Sequence, residues 1–312
     1  MKRTLLLALL AVLLQLVANA YSFEKDGIFY KINSDATSVS VTYGAKSSNS
    51  YSGDVVIPPT VTFEGKEYIV TTIDILAFKQ CTDLTSVIIP ETVTRIGSWA
   101  FAGSYSLESI VIPNSVTRID GGAFESCYGL RSVRLSDSLT TLGGSAFIEC
   151  VNLESINIPN SLTCIGVKAF YSCSNLKTVI IPKSVTKIEN NAFNYCISLK
   201  DLYCLPEQVP ETSANAFDGC YMESVTLYVP ASAADDYKAA EPWSRFGTFK
   251  DAFVVGDANG NGKVEIGDIT SVLTLMANPV ATGYSNMAAD ANQSGGIEIG
   301  DITAILTIMA GE

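Results

Sequence analysis

Residues 81–101 read CTDLTSVIIPETVTRIGSWAF, and residues 104–124 repeat the line as SYSLESIVIPNSVTRIDGGAF. The pair sets a ruler for the middle of the chain. Phe78, Phe101, Phe124, Phe147, Phe170 and Phe193 stand 23 residues apart, Phe217 follows after 24, and an alanine precedes each. Three residues beyond the phenylalanines lie Cys81, Cys127, Cys150, Cys173, Cys196 and Cys220, with Ser104 in the one gap. A unit this short cannot bury its own apolar face, so copies must stack. Leu84, Val87 and Ile89 fit the inward positions of a short strand. Pro90 ends that strand, because proline cannot donate to a ladder. Val93 and Ile96 fit a second extended piece on the opposite wall. Ser98 to Ser104 reads as a tight helical turn carrying Phe101 inward. At ~4.8 Å between stacked strands, seven coils make a sheet roughly 30 Å long.

The period lies in the leucine-rich-repeat range. The pattern L-x-x-V-x-I-P-x-x-V-x-x-I-G-x-x-A-F-x-x-C resembles the BspA-like, Treponema-type leucine-rich repeats of bacterial surface proteins. The resemblance covers about residues 55–230. It implies a mostly β solenoid of about seven 23-residue coils with short helical turns. YSGDVVIPPTVTFEGKEYIVTTI (Tyr51 to Ile73) looks like the irregular first repeat, and LYVPASAADDYKAAEPWSRF (Leu227 to Phe246) like the last, with Trp243 closing the open end of the core. Terminal repeats of solenoids are atypical caps. Tyr21 to Ser50 is polar and β-prone and is expected to add cap strands. Residues 21–72 are thus read as N-terminal cap and first repeat, 73–230 as the solenoid, and 231–254 as C-terminal cap and linker.

The ends are different. Lys2 and Arg3 precede a largely apolar run from Leu5 to Val17, broken only by Gln15, and Ala18-Asn19-Ala20 fits a small-x-small cleavage site, so residues 1–20 read as a secretory signal. The run is short of the ~20 residues a bilayer needs, and no later stretch spans one. Net charge is −12, which makes nucleic acid a poor partner. From Val255 onward stand seven acidic residues and one base, Lys263, which marks a separate acidic module. The chain has no histidine. Ser-His-Asp and Cys-His nucleophilic sites are excluded, as is every histidine-ligated metal.

The phenylalanine ladder reads as a core spine. The cysteines read as small buried hydrophobes, free rather than bridged, because ladder side chains point the same way and not at one another. Cys164 takes the place of Arg95, Arg118 and Lys187 on the outer side of the second wall and reads as a more accessible thiol. On the main strands one outward column is Ser86, Ser109, Ser132, Ser155, Thr178 and Asp201, nearly uniform. The next is Ile88, Val111, Arg134, Asn157, Ile180 and Tyr203, which changes chemistry from coil to coil. Variation on a rigid array suits a recognition strip; an ordinary surface strip is the plainer alternative.

GDANGNGKVEIGDITSVLTLMA (Gly256 to Ala277) recurs as ADANQSGGIEIGDITAILTIMA (Ala289 to Ala310), 33 residues later. Counted from Asp257, oxygen-bearing groups fall at Asn259, Asn261, Glu265 and Asp268, with the Lys263 carbonyl at position 7. The second copy gives Asp290, Asn292, Ser294, Gly296, Glu298 and Asp301. This is calcium-loop spacing, with glycine at position 6 for the turn and Asp in place of the usual bidentate Glu at position 12. After each loop an apolar stripe follows at i, i+3, i+4, i+7: Ile269, Val272, Leu273 and Met276, then Ile302, Ile305, Leu306 and Met309. Two loop-plus-helix halves resemble a type I dockerin over residues 255–312. The resemblance implies two calcium ions, a small all-α domain and a cohesin-like partner. At the partner-reading positions, often Ser-Thr in the family, both copies carry Ile-Gly (Ile266-Gly267 and Ile299-Gly300).

The expectation is an exported, non-catalytic binding or adhesion protein, monomeric and extracellular or surface-held. Its array would recognise a glycan or host protein. The alternatives are an accessory or enzymatic subunit of a polysaccharide-degrading complex, and a purely structural spacer. Titrating residues 255–312 with calcium should raise helicity as two ions bind, the first loop more tightly because Asn261 is a better oxygen donor than Ser294. Unchanged helicity and melting temperature would remove the metal reading.

Overall fold

The computed structural model describes residues 21–44 and 49–252, with nine residues beyond them (269, 272, 273, 276, 302, 304, 305, 306 and 309). Strand, second strand and turn follow one another in each 23-residue unit and wind into a stack of coils. The main wall climbs through Gly53–Val56, Leu84–Ile88, Ser109–Val111, Ser132–Arg134, Ser155–Asn157, Thr178–Ile181, Asp201–Cys204, Thr226–Val229 and Thr248–Asp251. The second wall climbs through Lys66–Ile73, Arg95–Ile96, Arg118–Ile119, Thr141–Leu142, Cys164–Ile165, Lys187–Ile188 and Glu211–Thr212. Neighbouring rungs pair in parallel, as a one-handed coil requires. Seven coils are complete. In an eighth, the short helix Ala234–Ala239 stands where the second wall would continue.

Both ends are capped. Phe23–Lys25, Ile28–Ile32 and Ser38–Thr42 form an antiparallel meander, and its last strand runs parallel to Lys66–Ile73. At the other end Trp243 is fully buried, 5.4 Å from the ring of Phe217 and 5.3 Å from that of Tyr237. The residue expected to close the core does so.

Inside, the inward positions are those of the pattern. Leu84, Val93, Ile96 and Phe101 are fully buried, as are all seven spine phenylalanines. From Phe78 to Phe217 successive rings lie 4.9–5.5 Å apart, with planes within 9° of parallel. Offset stacking of that kind adds to the burial of each ring.

The Ala-Phe turn is not helical, contrary to expectation. Its N–H groups alternate in direction. Ala100, Ala102 and Ser104 donate back within the coil to Gly97, Trp99 and Phe101. Trp99, Phe101 and Gly103 donate to the next coil, at Gly121, Ala123 and Glu125. A helix would turn every donor inward. The alternation instead needs left-handed backbone twice per coil, four residues apart: Leu76 and Gln80, Trp99 and Gly103, Gly122 and Ser126, Ser145 and Glu149, Lys168 and Ser172, Asn191 and Tyr195. The turn is therefore a third hydrogen-bonded wall.

All eight cysteines are free thiols. The ladder also has a polar task. Cys127, Cys150, Cys173, Cys196 and Cys220 each donate S–H to the spine carbonyl one coil back, at Phe101, Phe124, Phe147, Phe170 and Phe193, over 3.1–3.3 Å. Ser104 donates to Phe78 O at 2.8 Å in the same way. Burial pushes the Cys127 and Cys204 thiols up to about 12. They stay protonated and unreactive at neutral pH. Cys164 is half-buried, and its thiol is also pushed up by burial, then by Glu189.

The nine described residues beyond 252 are helical. Val272 and Ile305, equivalent in the two copies, are buried. Residues 1–20, read from the sequence as a secretory signal, the residues expected to form calcium loops and both Ile-Gly pairs lie outside the described residues. Among the described residues no helix is long and apolar enough to cross a membrane.

Two substitutions test the interior. Phe170→Ala should cost about 3–5 kcal/mol as a cavity in a rigid stack. Cys150→Ser should cost less than Cys150→Ala, because a hydroxyl can replace the S–H donor as Ser104 does. Chemical denaturation of the three variants checks both, and a larger loss for Ser than for Ala contradicts the donor role.

Candidate ligand-binding face

Side chains alternate across a strand, so every second main-wall residue faces out. The outward strip begins one coil before the predicted one. Val56 pairs with Ile88, and both are about 60% exposed, at 61% each. Val111 pairs with Arg134, and both are exposed. A continuous ladder then sets Asn157 against Ile180, Ile180 against Tyr203, Tyr203 against Tyr228, and Tyr228 against Lys250. Asn157, Ile180 and Tyr203 are thus brought together as expected. Arg134 belongs to the adjoining ladder, beyond a break in the strand pairing.

The aromatic end is held firmly. The Tyr203 and Tyr228 rings stack with centroids 4.2 Å apart and planes 9° from parallel. The Tyr228 hydroxyl donates to Asp201 Oδ1 at 3.3 Å, and Lys250 Nζ lies 5.7 Å from the Tyr228 ring centre. Burial, with Tyr228 alongside, pushes the Tyr203 phenol well above its ordinary range. Tyr203 therefore presents a neutral hydroxyl on a stacked ring.

The neighbouring column stays short and polar over its whole length: Asp54, Ser86, Ser109, Ser132, Ser155, Thr178, Asp201, Thr226 and Thr248, hydroxyls except for the two carboxylates. At its start Asp54 accepts from Ser86 Oγ at 2.6 Å and Thr85 Oγ1 at 2.7 Å. Those bonds, Ser86 first, hold the Asp54 carboxyl below its usual range. A ligand laid along the strip would meet apolar groups, then Arg134, Asn157 and Ile180, then the stacked rings of Tyr203 and Tyr228 and the Lys250 cation, beside a row of hydroxyls and two carboxylates.

Val56, Tyr228 and Lys250 were missed in the sequence reading. The first two carry a signal: Val55-Val56-Ile57-Pro58 echoes Val87-Ile88-Ile89-Pro90, and Leu227-Tyr228 echoes Leu202-Tyr203. Lys250 stands in Thr-Phe-Lys-Asp, which bears no mark of the repeat.

A family profile and one solved structure agree with this architecture. A profile of the "BspA type Leucine rich repeat region" matches residues 60–177 and 118–237, in six copies. The chain belongs to the BspA-type leucine-rich repeat family. No curated protein matches it. Among solved structures, it is similar to the leucine-rich repeat protein of T. pallidum, with 26% identity and a TM-score of 0.59, over 74% of this chain and 99% of that one. A leucine-rich repeat protein from Bacteroides ovatus is 22% identical over 67% of this chain and 71% of that one, TM-score 0.45. A leucine-rich cell surface protein from Faecalibacterium prausnitzii is 21% identical over 74% and 95%, TM-score 0.26. The relatives are repeat proteins, a class that is typically non-catalytic.

Stacking on Tyr228 means that Tyr203 also supports the fold. Tyr203→Ala should cost about 1 kcal/mol, the worth of one aromatic pair, against several for Phe170→Ala. Melting curves of the two variants check the ranking; equal losses would make Tyr203 a core residue.

Proposed function

We propose that this chain is an exported, non-catalytic binding and adhesion protein. Its main-wall strip recognises an extended glycan or protein segment. Its duplicated C-terminal loops fold around two calcium ions and dock it to a cohesin-like partner or surface assembly. The observation that carries the binding reading is the contrast between adjacent columns. One stays short and polar in every coil, hydroxyl in most and carboxylate at Asp54 and Asp201, while the other ranges over aliphatic, cationic, amide and aromatic side chains on the same repeated strand. A purely structural spacer has no reason to diversify one column only. The absence of histidine supports the non-catalytic reading, and the docking reading is supported by the doubled spacing from Asp257 to Asp268 and from Asp290 to Asp301. Proteins of this repeat family are typically secreted or surface-held, which agrees with the basic and apolar character of residues 1–20.

The test is a pull-down from the extracellular fraction of the native organism with the full chain as bait, with and without a calcium chelator. One partner should be lost with calcium and another kept. The calcium-independent partner should bind the Tyr203→Ala variant at least about tenfold more weakly, a difference near 1.4 kcal/mol. Undiminished binding to folded Tyr203→Ala and Arg134→Ala proteins would remove the strip from the account. Retention of every partner in chelator would remove the calcium-dependent docking.

A further inference from the structure

The turn wall presents its own outward columns. After each spine phenylalanine come two outward positions, Lys79 and Gln80 in one coil and Glu125 and Ser126 two coils on. In the coil between them they shrink to Ala102 and Gly103. The two smallest side chains in one place leave a shallow cavity of about 190 Å³. Ala102 and Gly103 are its buried floor, and Trp99 and Tyr105 stand exposed beside it. Lys79 lines one rim and Glu125 the other.

Both rings are fixed before any ligand arrives. The Trp99 indole lies over Gly122, where a Cβ would come within 2.6 Å of Nε1. Nε1 donates to Glu125 Oε2 at 2.9 Å. The Tyr105 ring stacks on Tyr128, with centroids 5.1 Å apart and planes 4° from parallel. The Tyr128 hydroxyl in turn donates to Glu149 Oε2 at 3.3 Å, an oxygen that also accepts from Ser126 Oγ at 2.9 Å. Trp99, Tyr105 and Tyr128 are 44%, 43% and 40% exposed. Rigid amphipathic rings left in water offer contact area at little further entropy cost. The Lys79 ammonium and Glu125 Oε1 have no hydrogen-bond partner among the described residues, so a donor and an acceptor face the cavity from opposite rims.

We propose that this notch is a saccharide subsite that seats one pyranose ring of a neutral glycan, separate from the main-wall strip. A pyranose has an apolar C–H face, which suits the rings of Trp99 and Tyr105. Its hydroxyls both donate and accept, which suits Glu125 and Lys79 together. A cation would meet Lys79 and an anion would meet Glu125, so the rims favour a neutral polyhydroxyl ligand over either ion. A few placed polar groups around an apolar floor are the usual make-up of a small-ligand site.

The chain has two tryptophans, and they divide the signal. Trp243 is fully buried and Trp99 is exposed, so emission changes on binding report the notch. The full chain is titrated with glucose, galactose, mannose and N-acetylglucosamine, and with tetramethylammonium chloride as the ionic probe. Saturation-transfer NMR runs beside the fluorescence, so that Trp99→Ala can also be read. At least one sugar should bind in the millimolar range and shift the emission. Gly103→Gln places in the notch the side chain that Gln80 carries one coil away, at the same left-handed backbone position. It should weaken that sugar at least about tenfold. Trp99→Ala and Tyr105→Ala should do the same, with melting curves showing that each variant is folded. Tyr221→Ala, 68% exposed near the far end of the array and outside both the strip and the notch, should leave the sugar response unchanged, and because the emission change reports Trp99, this site can stand or fall apart from the strip. No response to any of the four sugars overturns the proposal. So does binding that survives Gly103→Gln or Tyr105→Ala in folded protein, or a response to tetramethylammonium alone.

Discussion

The peptide units around each spine phenylalanine tie the structure together. Phe101 N–H donates to Ala123 O in the next coil at 2.7 Å, and Phe101 O accepts from Cys127 Sγ of that coil at 3.1 Å. The same pair of bonds recurs up the array, while the ring itself stacks on its neighbours. A buried peptide group without partners costs a few kcal/mol. No coil can satisfy the N–H of its own phenylalanine, so each coil depends on the next. This is the physical content of the 23-residue ruler: the spacing must return alanine, phenylalanine and a short S–H or O–H donor to the same place on every turn.

That requirement explains what the sequence did and did not disclose. Burial follows from apolar spacing, so Leu84, Val93, Ile96 and the phenylalanines could be read as interior at once. The turn could not be read correctly. Its backbone is left-handed at Trp99, Ser126, Glu149, Lys168 and Tyr195, residues that carry no conformational mark. Glycine would have announced such positions, and it appears in these columns at Gly103, Gly122 and Gly219 alone. A left-handed residue with a side chain costs on the order of 1–2 kcal/mol. It persists here because hydrogen bonds to the adjacent coil determine it from outside the local sequence. The S–H bonds of the cysteine ladder were hidden for the same reason: the acceptor lies 26 residues away in most coils.

Once every coil is held by its inner face, the outward columns are released from structural duty, and their chemistry can differ without disturbing the stack. Asn157, Ile180 and Tyr203 share one strand register although they have no common side-chain chemistry. Their predicted neighbourhood followed directly from the repeat. The extension to Val56 and Tyr228 needed the weaker echoes in the terminal copies, and Lys250 needed the structure itself. Tyr203 shows the limit of the separation: by stacking on Tyr228 it serves both the surface and the fold.

The coil of Phe101 makes the same point in its most pronounced form. Three consecutive residues, Ala102 to Ser104, depart from the columns on either side. Ala102 and Gly103 are smaller than their counterparts, Ser104 replaces cysteine, and Tyr105 follows where Thr82 stands one coil before. A decaying copy would lose its internal bonds along with its surface. Here Ser104 Oγ still reaches Phe78 O, at 2.8 Å, and Phe101 still stacks 4.9 Å from Phe78 and 5.0 Å from Phe124. Gly103 keeps the left-handed conformation of its column, and its N–H still donates to Glu125 O at 2.8 Å. The interior of this coil is therefore conserved in geometry while its surface is emptied between two fixed aromatic rings. Loss of constraint would erode both together; a change confined to the outer face, with the inner bonds kept, points to a surface shaped for contact.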